Sequence, residues 1–211
     1  MSKIFIKRIL SSIFLILILI FFMFLDEKVF NFFLILLFLI SCYEFNTIIR
    51  NKFLLFLSII LLSFSFFSAY SLKTDYGLNL FFYILSISIS TDIGGYIFGK
   101  ILKGPKLTKI SPNKTYAGVF GSFLTSFFIG IFLFNFLKIS IHIQIFNFKI
   151  LYLIFLLSFV SQLGDLIISY LKRQSNLKDT GKLIPGHGGL LDRIDGVIFV
   201  FPFYYILTIN M

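Results

Sequence analysis

The sequence predicts an all-α, polytopic integral membrane protein of about seven transmembrane helices with a cytoplasmic N-terminus. Three observations predict it. The 211 residues are 58% apolar with mean hydropathy +0.99, apolar runs recur at membrane-spanning length, and the basic residues fall on one side of those runs. That composition is too hydrophobic for a soluble domain burying a single core. The 32 Phe, alongside many Ile, Leu, Lys and Asn and no Trp, match A+T-rich codon usage and carry no catalytic meaning.

Seven runs qualify as spans: Ile9 to Leu25, Val29 to Ile49, Phe53 to Leu72, Leu78 to Phe98, Tyr116 to Leu137, Ile150 to Leu171, and Gly196 to Asn210. Most approach the ~20 residues that cross ~30 Å of hydrocarbon at ~1.5 Å per residue. The last is short and carries Pro202. The first follows Lys3, Lys7 and Arg8 as a signal peptide would, but no small-residue cleavage site ends it and Asp26, Glu27 and Lys28 lead into another span. It reads as a retained helix. Cys42, the single cysteine, lies inside an apolar run and reads as a small packing residue.

Charge sets the orientation. With a cytoplasmic N-terminus, fifteen of the nineteen basic residues fall inside, and only Lys28, Lys73, Lys138 and Lys149 fall outside. This agrees with the positive-inside rule at every crossing and puts the C-terminus outside. The net charge of +10 is therefore a one-sided property, part topological signal and part attraction for anionic lipid or polyphosphate. No soluble basic domain stands apart from the membrane, so nucleic-acid binding is not indicated.

Residues 1–76 lack glycine and proline and hold one charge well inside a span, Glu44. They read as a scaffold of about three helices. Residues 77–211 contain all fourteen glycines and all four prolines, and read as the catalytic region with cytoplasmic loops at 99–115 and 172–195. Glycine is concentrated where backbone must approach a ligand closely.

Acids at membrane depth cost at least ~2.5 kcal/mol on insertion scales, so Asp92 and Asp165 are expected to face a polar interior with partners. Ser161, Asp165, Ser169 and Lys172 share one helix face at spacings of four, four and three. Asp192 and Asp195, three apart, would share the first turn of a helix beginning there, where the dipole favours carboxylates. Three aspartates converging beside Lys172, Arg173, Lys178, Lys182 and Arg193 suit Mg²⁺ shared with substrate phosphates, the cations holding the remaining phosphate charge. Between them Pro185, Gly186, His187, Gly188 and Gly189 form a segment able to offer N–H groups to phosphate. A second cluster starts at Asp92, whose Gly95, Tyr96 and Gly99 follow helical spacing. That small-residue face reads first as a helix-packing surface. Ser111, Asn113, Lys114 and Thr115 follow it with phosphate or base contacts beside a basic run.

These residues resemble the phosphatidate cytidylyltransferases, or CDP-diacylglycerol synthases. The pattern is S, two residues, KR, four residues, KD, then PxHGG, apolar residues and DRxD. Ser169, Lys172, Arg173, Lys178, Asp179, Pro185, His187, Gly188, Gly189, Asp192, Arg193 and Asp195 fill its fixed positions. Asp165, the DxGGY stretch and the SPNKT stretch are similar too, so the resemblance covers the chain from Thr91 onward.

The resemblance implies a multi-pass enzyme of the cell (inner) membrane joining CTP to phosphatidate, with CDP-diacylglycerol and pyrophosphate as products. It implies Mg²⁺ at Asp165 and Asp192, assisted by Asp195, and allows a second cation. Lys172 and Arg173 are expected to bind phosphate, and Ser169 to orient a metal ligand or phosphate. Lys178, Gly188, Gly189, Arg193, Asp92, Ser111, Lys114 and Thr115 are expected to line the substrate site. His187 is open between a phosphate contact and a hydrogen bond holding its loop, because a free histidine pKa near ~6.5 permits either charge state.

The chain departs from the family in three ways: it is short, Ala117 stands where an acid is common, and Lys100 replaces an arginine and its bidentate fork. Two other functions fit parts of the pattern, a CTP-dependent polyprenol or phytol kinase and a small-ion or solute transporter using the intramembrane acids. Helices rich in small residues also suggest a homodimer.

Overall fold

The computed structural model describes residues 14–15, 17–108, 110–137, 147–177, 179–181, 183–184 and 188–209, with side chains in the fifth helix described from Ile150. The fold class is all-α. The described helices are α1 (Glu27–Ile48), α2 (Lys52–Tyr76), α3 (Leu78–Leu102), α4 (Tyr116–Leu137), α5 (Asn147–Gln174), the single turn α6 (Leu191–Ile194) and α7 (Val197–Ile209). Residues 17–24 are also helical, and the start of the expected first span lies outside the described residues. Among the described residues five helices, α1 to α5, are long and apolar enough to cross a membrane. α7 has 13 residues with Pro202 inside it.

Local chemistry sets several of these boundaries. Asn51 caps α2, its Oδ1 accepting from the N–H of Phe53 at 2.9 Å and of Leu54 at 3.4 Å. Thr115 does the same for α4, accepting from the Gly118 N–H at 3.1 Å. The segment before α4 is a short antiparallel return, with Lys106 bridged to Thr115 and the Leu107 N–H donating to the Lys114 carbonyl at 2.8 Å.

Two compact units emerge. One comprises Met1–Tyr70 with Leu171–Ile194, the other Ser71–Tyr170 with Asp195–Met211. The grouping differs from a linear division near residue 76, because the polar segment after α5 packs with the N-terminal helices.

In the first unit, Glu27 accepts a hydrogen bond from the Tyr70 hydroxyl at 2.7 Å, and Phe22 stacks on Phe33. In the second unit the interior carries small polar groups and the surface carries large apolar ones. Ser88, Thr91, Ser158 and Ser161 are fully buried, while Phe120, Phe128, Phe132 and Phe136 are exposed. Lipid is as apolar as leucine, so membrane helices associate through close packing and interhelical hydrogen bonds. Here Ser88 bonds Ser161 at 2.8 Å, Thr91 donates to Ser158 at 3.0 Å, and Ser122 donates to the Thr91 carbonyl at 2.8 Å.

The glycine face of α3 is a packing surface. A Cβ on Gly94 would fall within 2.5 Å of the Gly121 carbonyl on α4 and strike Thr125, and one on Gly121 would strike Phe98. Only glycine permits that approach. Thr91, Gly94 and Phe98 carry this face, and Asp92 lies one residue off it. Asp92 is therefore exposed on α3 rather than enclosed in the polar interior expected for it.

Candidate functional site

Within the second unit, α5 presents Asp165 in its C-terminal half and α4 is preceded by Lys114. Lys114 Nζ lies 2.5 Å from Asp165 Oδ2, with the two side chains 25% and 26% exposed. Ser169, one turn on, donates to Asp165 Oδ1 at 3.3 Å. The two separate sequence stretches singled out for phosphate and metal chemistry, SPNKT and the Asp165 stripe, thus meet in a half-open ion pair. Ser161 is spent on Ser88 as packing. Ser111 is half-buried, its N–H held by Thr108 and its carbonyl accepting from the Lys114 N–H. Thr115 serves as the cap of α4. Lys100 is exposed over the Tyr96 ring at 5.6 Å.

In the first unit a second cluster forms around Asp192. Lys172 Nζ donates to Asp192 Oδ1 at 2.7 Å, and the side chains are only 10% and 8% exposed. Asp192 Oδ2 accepts from the Thr180 N–H at 2.8 Å, the Gly189 N–H at 3.0 Å and the Thr180 hydroxyl at 3.1 Å. Burial alone would raise the Asp192 pKa. The Lys172 hydrogen bond and charge, with the N–H groups of Thr180 and Gly189, outweigh it and hold the carboxyl below its usual value.

Glu44 is the residue that sequence reading left in the scaffold. It is 1% exposed on α1. Its Oε1 accepts from the Leu190 N–H at 2.8 Å, and its Oε2 from the Leu191 N–H and the Thr180 hydroxyl, each at 2.8 Å. A charge at the centre of a membrane helix costs ~2.5–3.5 kcal/mol on insertion scales and less toward its end, which three hydrogen bonds can offset. The only sequence signal was an acid breaking an apolar run; its partners lie some 140 residues away.

Gly188 and Gly189 are thereby explained differently from expectation, while Pro185, Gly186 and the neighbouring Lys182 lie outside the described residues. The N–H groups of Gly189, Leu190 and Leu191 point at Asp192 and Glu44 rather than being free for phosphate. Gly188 has φ +94°, exchanges backbone hydrogen bonds with Ile184, and has Asp192 Oδ2 within 2.6 Å of where a Cβ would sit. A side chain there would be both strained and crowded. Gly189 is closed in likewise by Thr180 and the Glu44 carboxylate.

Arg173 is exposed and donates from Nη1 to the Leu177 carbonyl at 2.9 Å, finishing α5. Arg193 is exposed on α6. Asp195 is 8% exposed and accepts the Gly196 N–H at 3.0 Å. Because α6 is a single turn ending at Ile194, Asp192 and Asp195 do not share a helix. Lys178 and His187 lie outside the described residues. Among the described residues no group of three or more His, Cys, Asp or Glu side chains gathers as a metal-ligating cluster. Asp165 and Asp192 each face a lysine instead.

The cytidylyltransferase family matches residues 51–210 of the chain. The phosphatidate cytidylyltransferase of Staphylococcus haemolyticus (strain JCSC1435) is 39% identical over 143 residues, covering 67% of this chain and 53% of that protein. Those of Bacillus subtilis (strain 168) and Staphylococcus epidermidis (strain ATCC 12228 / FDA PCI 1200) are 42% and 40% identical over 134 and 135 residues. The chain spans about half the length of these curated relatives.

Proposed function

The chain belongs to the cytidylyltransferase family, and on that premise we propose that it transfers the cytidylyl group of CTP to phosphatidate. The observation carrying this reading is the pairing of family-motif lysines with family-motif aspartates, Lys114 with Asp165 at 2.5 Å and Lys172 with Asp192 at 2.7 Å. The relatives' name supplies the substrate pair.

The chemistry asks mainly for charge neutralisation and alignment. Phosphatidate brings an ionised phosphate oxygen as nucleophile, so no general base is required. That oxygen bonds to the α-phosphorus of CTP, the bond from the α-phosphorus to the bridging oxygen breaks, and pyrophosphate leaves with the electron pair. Each lysine ammonium has three donors and gives one to its aspartate, leaving two for phosphate oxygens. Lys114, the more exposed, is assigned to the incoming triphosphate, and Lys172 and Arg173 to phosphate nearer the polar loop. Ser169 orients Asp165.

The donors fit Mg²⁺, being hard carboxylate and hydroxyl oxygens. Asp165, a quarter exposed with Ser169 beside it, would be its first ligand. Asp192 in the first unit and Asp195 in the second are further carboxylates of the same hard-oxygen kind, Asp192 becoming available by giving up a hydrogen bond. When bound, the metal supplies neutralisation of triphosphate charge.

The proposal also puts the polar loops at the cytoplasmic face of the cell membrane, on the strength of the fifteen-to-four charge split. A homodimer would need a surface other than the α3 glycine face, which α4 occupies. Purified protein in mixed micelles with phosphatidate, labelled CTP and Mg²⁺ is expected to form a CDP-lipid and pyrophosphate. Folded protein yielding neither contradicts the reading.

A further inference from the structure

We propose that Glu44 is a positioning residue for the reaction: from α1, outside the matched region 51–210, its carboxylate fixes the backbone that presents Asp192 to Lys172. The inference deepens the cytidylyl-transfer reading, and its activity arm rests on that reading.

The bonding argues for more than filling a helix end. Both Glu44 oxygens are used, Oε1 by the Leu190 N–H and Oε2 by the Leu191 N–H and the Thr180 hydroxyl. The residues it grips flank Asp192 from both directions, Leu191 immediately before it and Thr180 from across the loop. The Thr180 hydroxyl stands 2.8 Å from Glu44 Oε2 and 3.1 Å from Asp192 Oδ2, while its N–H donates to the same Asp192 oxygen. A hydroxyl has one proton, so Thr180 links the two carboxylates by donating to one at a time.

The loop glycines are built around this acid. A Cβ on Gly189 would strike the Glu44 carboxylate, and one on Gly181 would lie 3.1 Å from Oε1. Gly189, read from the sequence as part of a phosphate cradle, and Gly181 are thus small because the Glu44 carboxylate lies against both. A ligand-bearing side chain held by such a supporting shell loses its geometry when that shell is removed. Lys172, itself buried, has little freedom to follow a displaced Asp192.

Substitution discriminates sharply. Glutamine offers one acceptor oxygen and turns an NH2 toward a backbone N–H or the Thr180 hydroxyl, whereas aspartate keeps the chemistry but is one methylene shorter. The test uses the full chain in mixed micelles with phosphatidate, CTP and Mg²⁺, together with amide hydrogen exchange. Glu44→Gln is expected to lower kcat by at least ~30-fold while the KM for CTP moves by less than ~3-fold. The Leu190 and Leu191 amides should exchange about tenfold faster or more, while amides of α3 and α4 stay protected. Glu44→Asp should recover part of the kcat.

Thr180→Val, which removes only the shared hydroxyl, is expected to show the same kcat-selective loss at smaller size, and it decides the matter if Glu44→Gln does not fold. A Glu44→Gln kcat within ~3-fold of the parent, or unchanged Leu190 and Leu191 exchange, overturns the inference. Absence of CDP-lipid from the parent chain overturns the reaction instead, and the exchange arm then decides the Glu44 clamp alone.

Discussion

Asp192 makes four contacts through two oxygens, and most of its consequences can be measured by changing one atom. Asp192→Asn replaces an acceptor oxygen with a donor facing either Lys172 or two N–H groups. Turnover is expected to fall by about 100-fold or more, with membrane insertion retained; near-normal turnover removes Asp192 from the reaction. Its lowered pKa also fixes a pH dependence. The folded carboxyl titrates below the unfolded value of ~3.9, so its stabilisation is complete above about pH 4 and is lost as pH falls through the folded pKa. Hydrogen exchange of the Thr180 and Gly189 amides should therefore be flat from about pH 7 to 5, after correction for intrinsic rates, and lose protection in the acid range. Asp165 and Lys172 were legible in the sequence because charge is costly in so apolar a chain and their spacing puts them on one helix face; Asp192 stood out by its charge alone, since the helix turn expected to hold it with Asp195 ends at Ile194. Glu44 was not legible. Its partners are two backbone N–H groups, which leave no trace in side-chain identity, and a threonine across the chain.

Helices pair through surfaces that hydropathy does not describe. The spans α1 to α5 follow from run length, since burial in lipid requires ~20 apolar residues and little else. Boundaries moved by a turn where polar residues continued the helix, as at Lys100 on α3 and Lys172 to Gln174 on α5. Which faces meet depended on small residues, and here the sequence was partly informative: Gly95 and Gly99 marked the α3 face, while Gly94 and the partner stripe on α4 emerged only in the folded chain. Gly94→Leu is expected to destabilise the chain by about 1–3 kcal/mol, as overpacking does, because its side chain must enter the space of Thr125 and the Gly121 carbonyl. Gly99→Ala meets its nearest atom, Thr115 Oγ1, at 3.2 Å and should cost less. Unfolding in detergent followed by circular dichroism ranks the two, and equal midpoints would contradict the packing.

The whole molecule divides so that the polar segment Leu171–Ile194 belongs with the N-terminal helices, a grouping that linear reading could not anticipate because it depends on Glu44 reaching Leu190 and Leu191. Side of the membrane is a separate matter, resting on charge. In a Cys42→Ser background, Asn113→Cys and Asn176→Cys are expected to react with an impermeant thiol reagent in inverted vesicles and not in intact cells; the reverse pattern overturns the cytoplasmic assignment. The central claim is which phosphorus of CTP is transferred. Purified chain is given phosphatidate, Mg²⁺ and CTP labelled at either the α- or the γ-phosphorus, and the lipid fraction is counted. Cytidylyl transfer predicts α-label in the lipid and γ-label in pyrophosphate, in equal amounts, whereas γ-label in the lipid with CDP released would contradict it and identify a kinase.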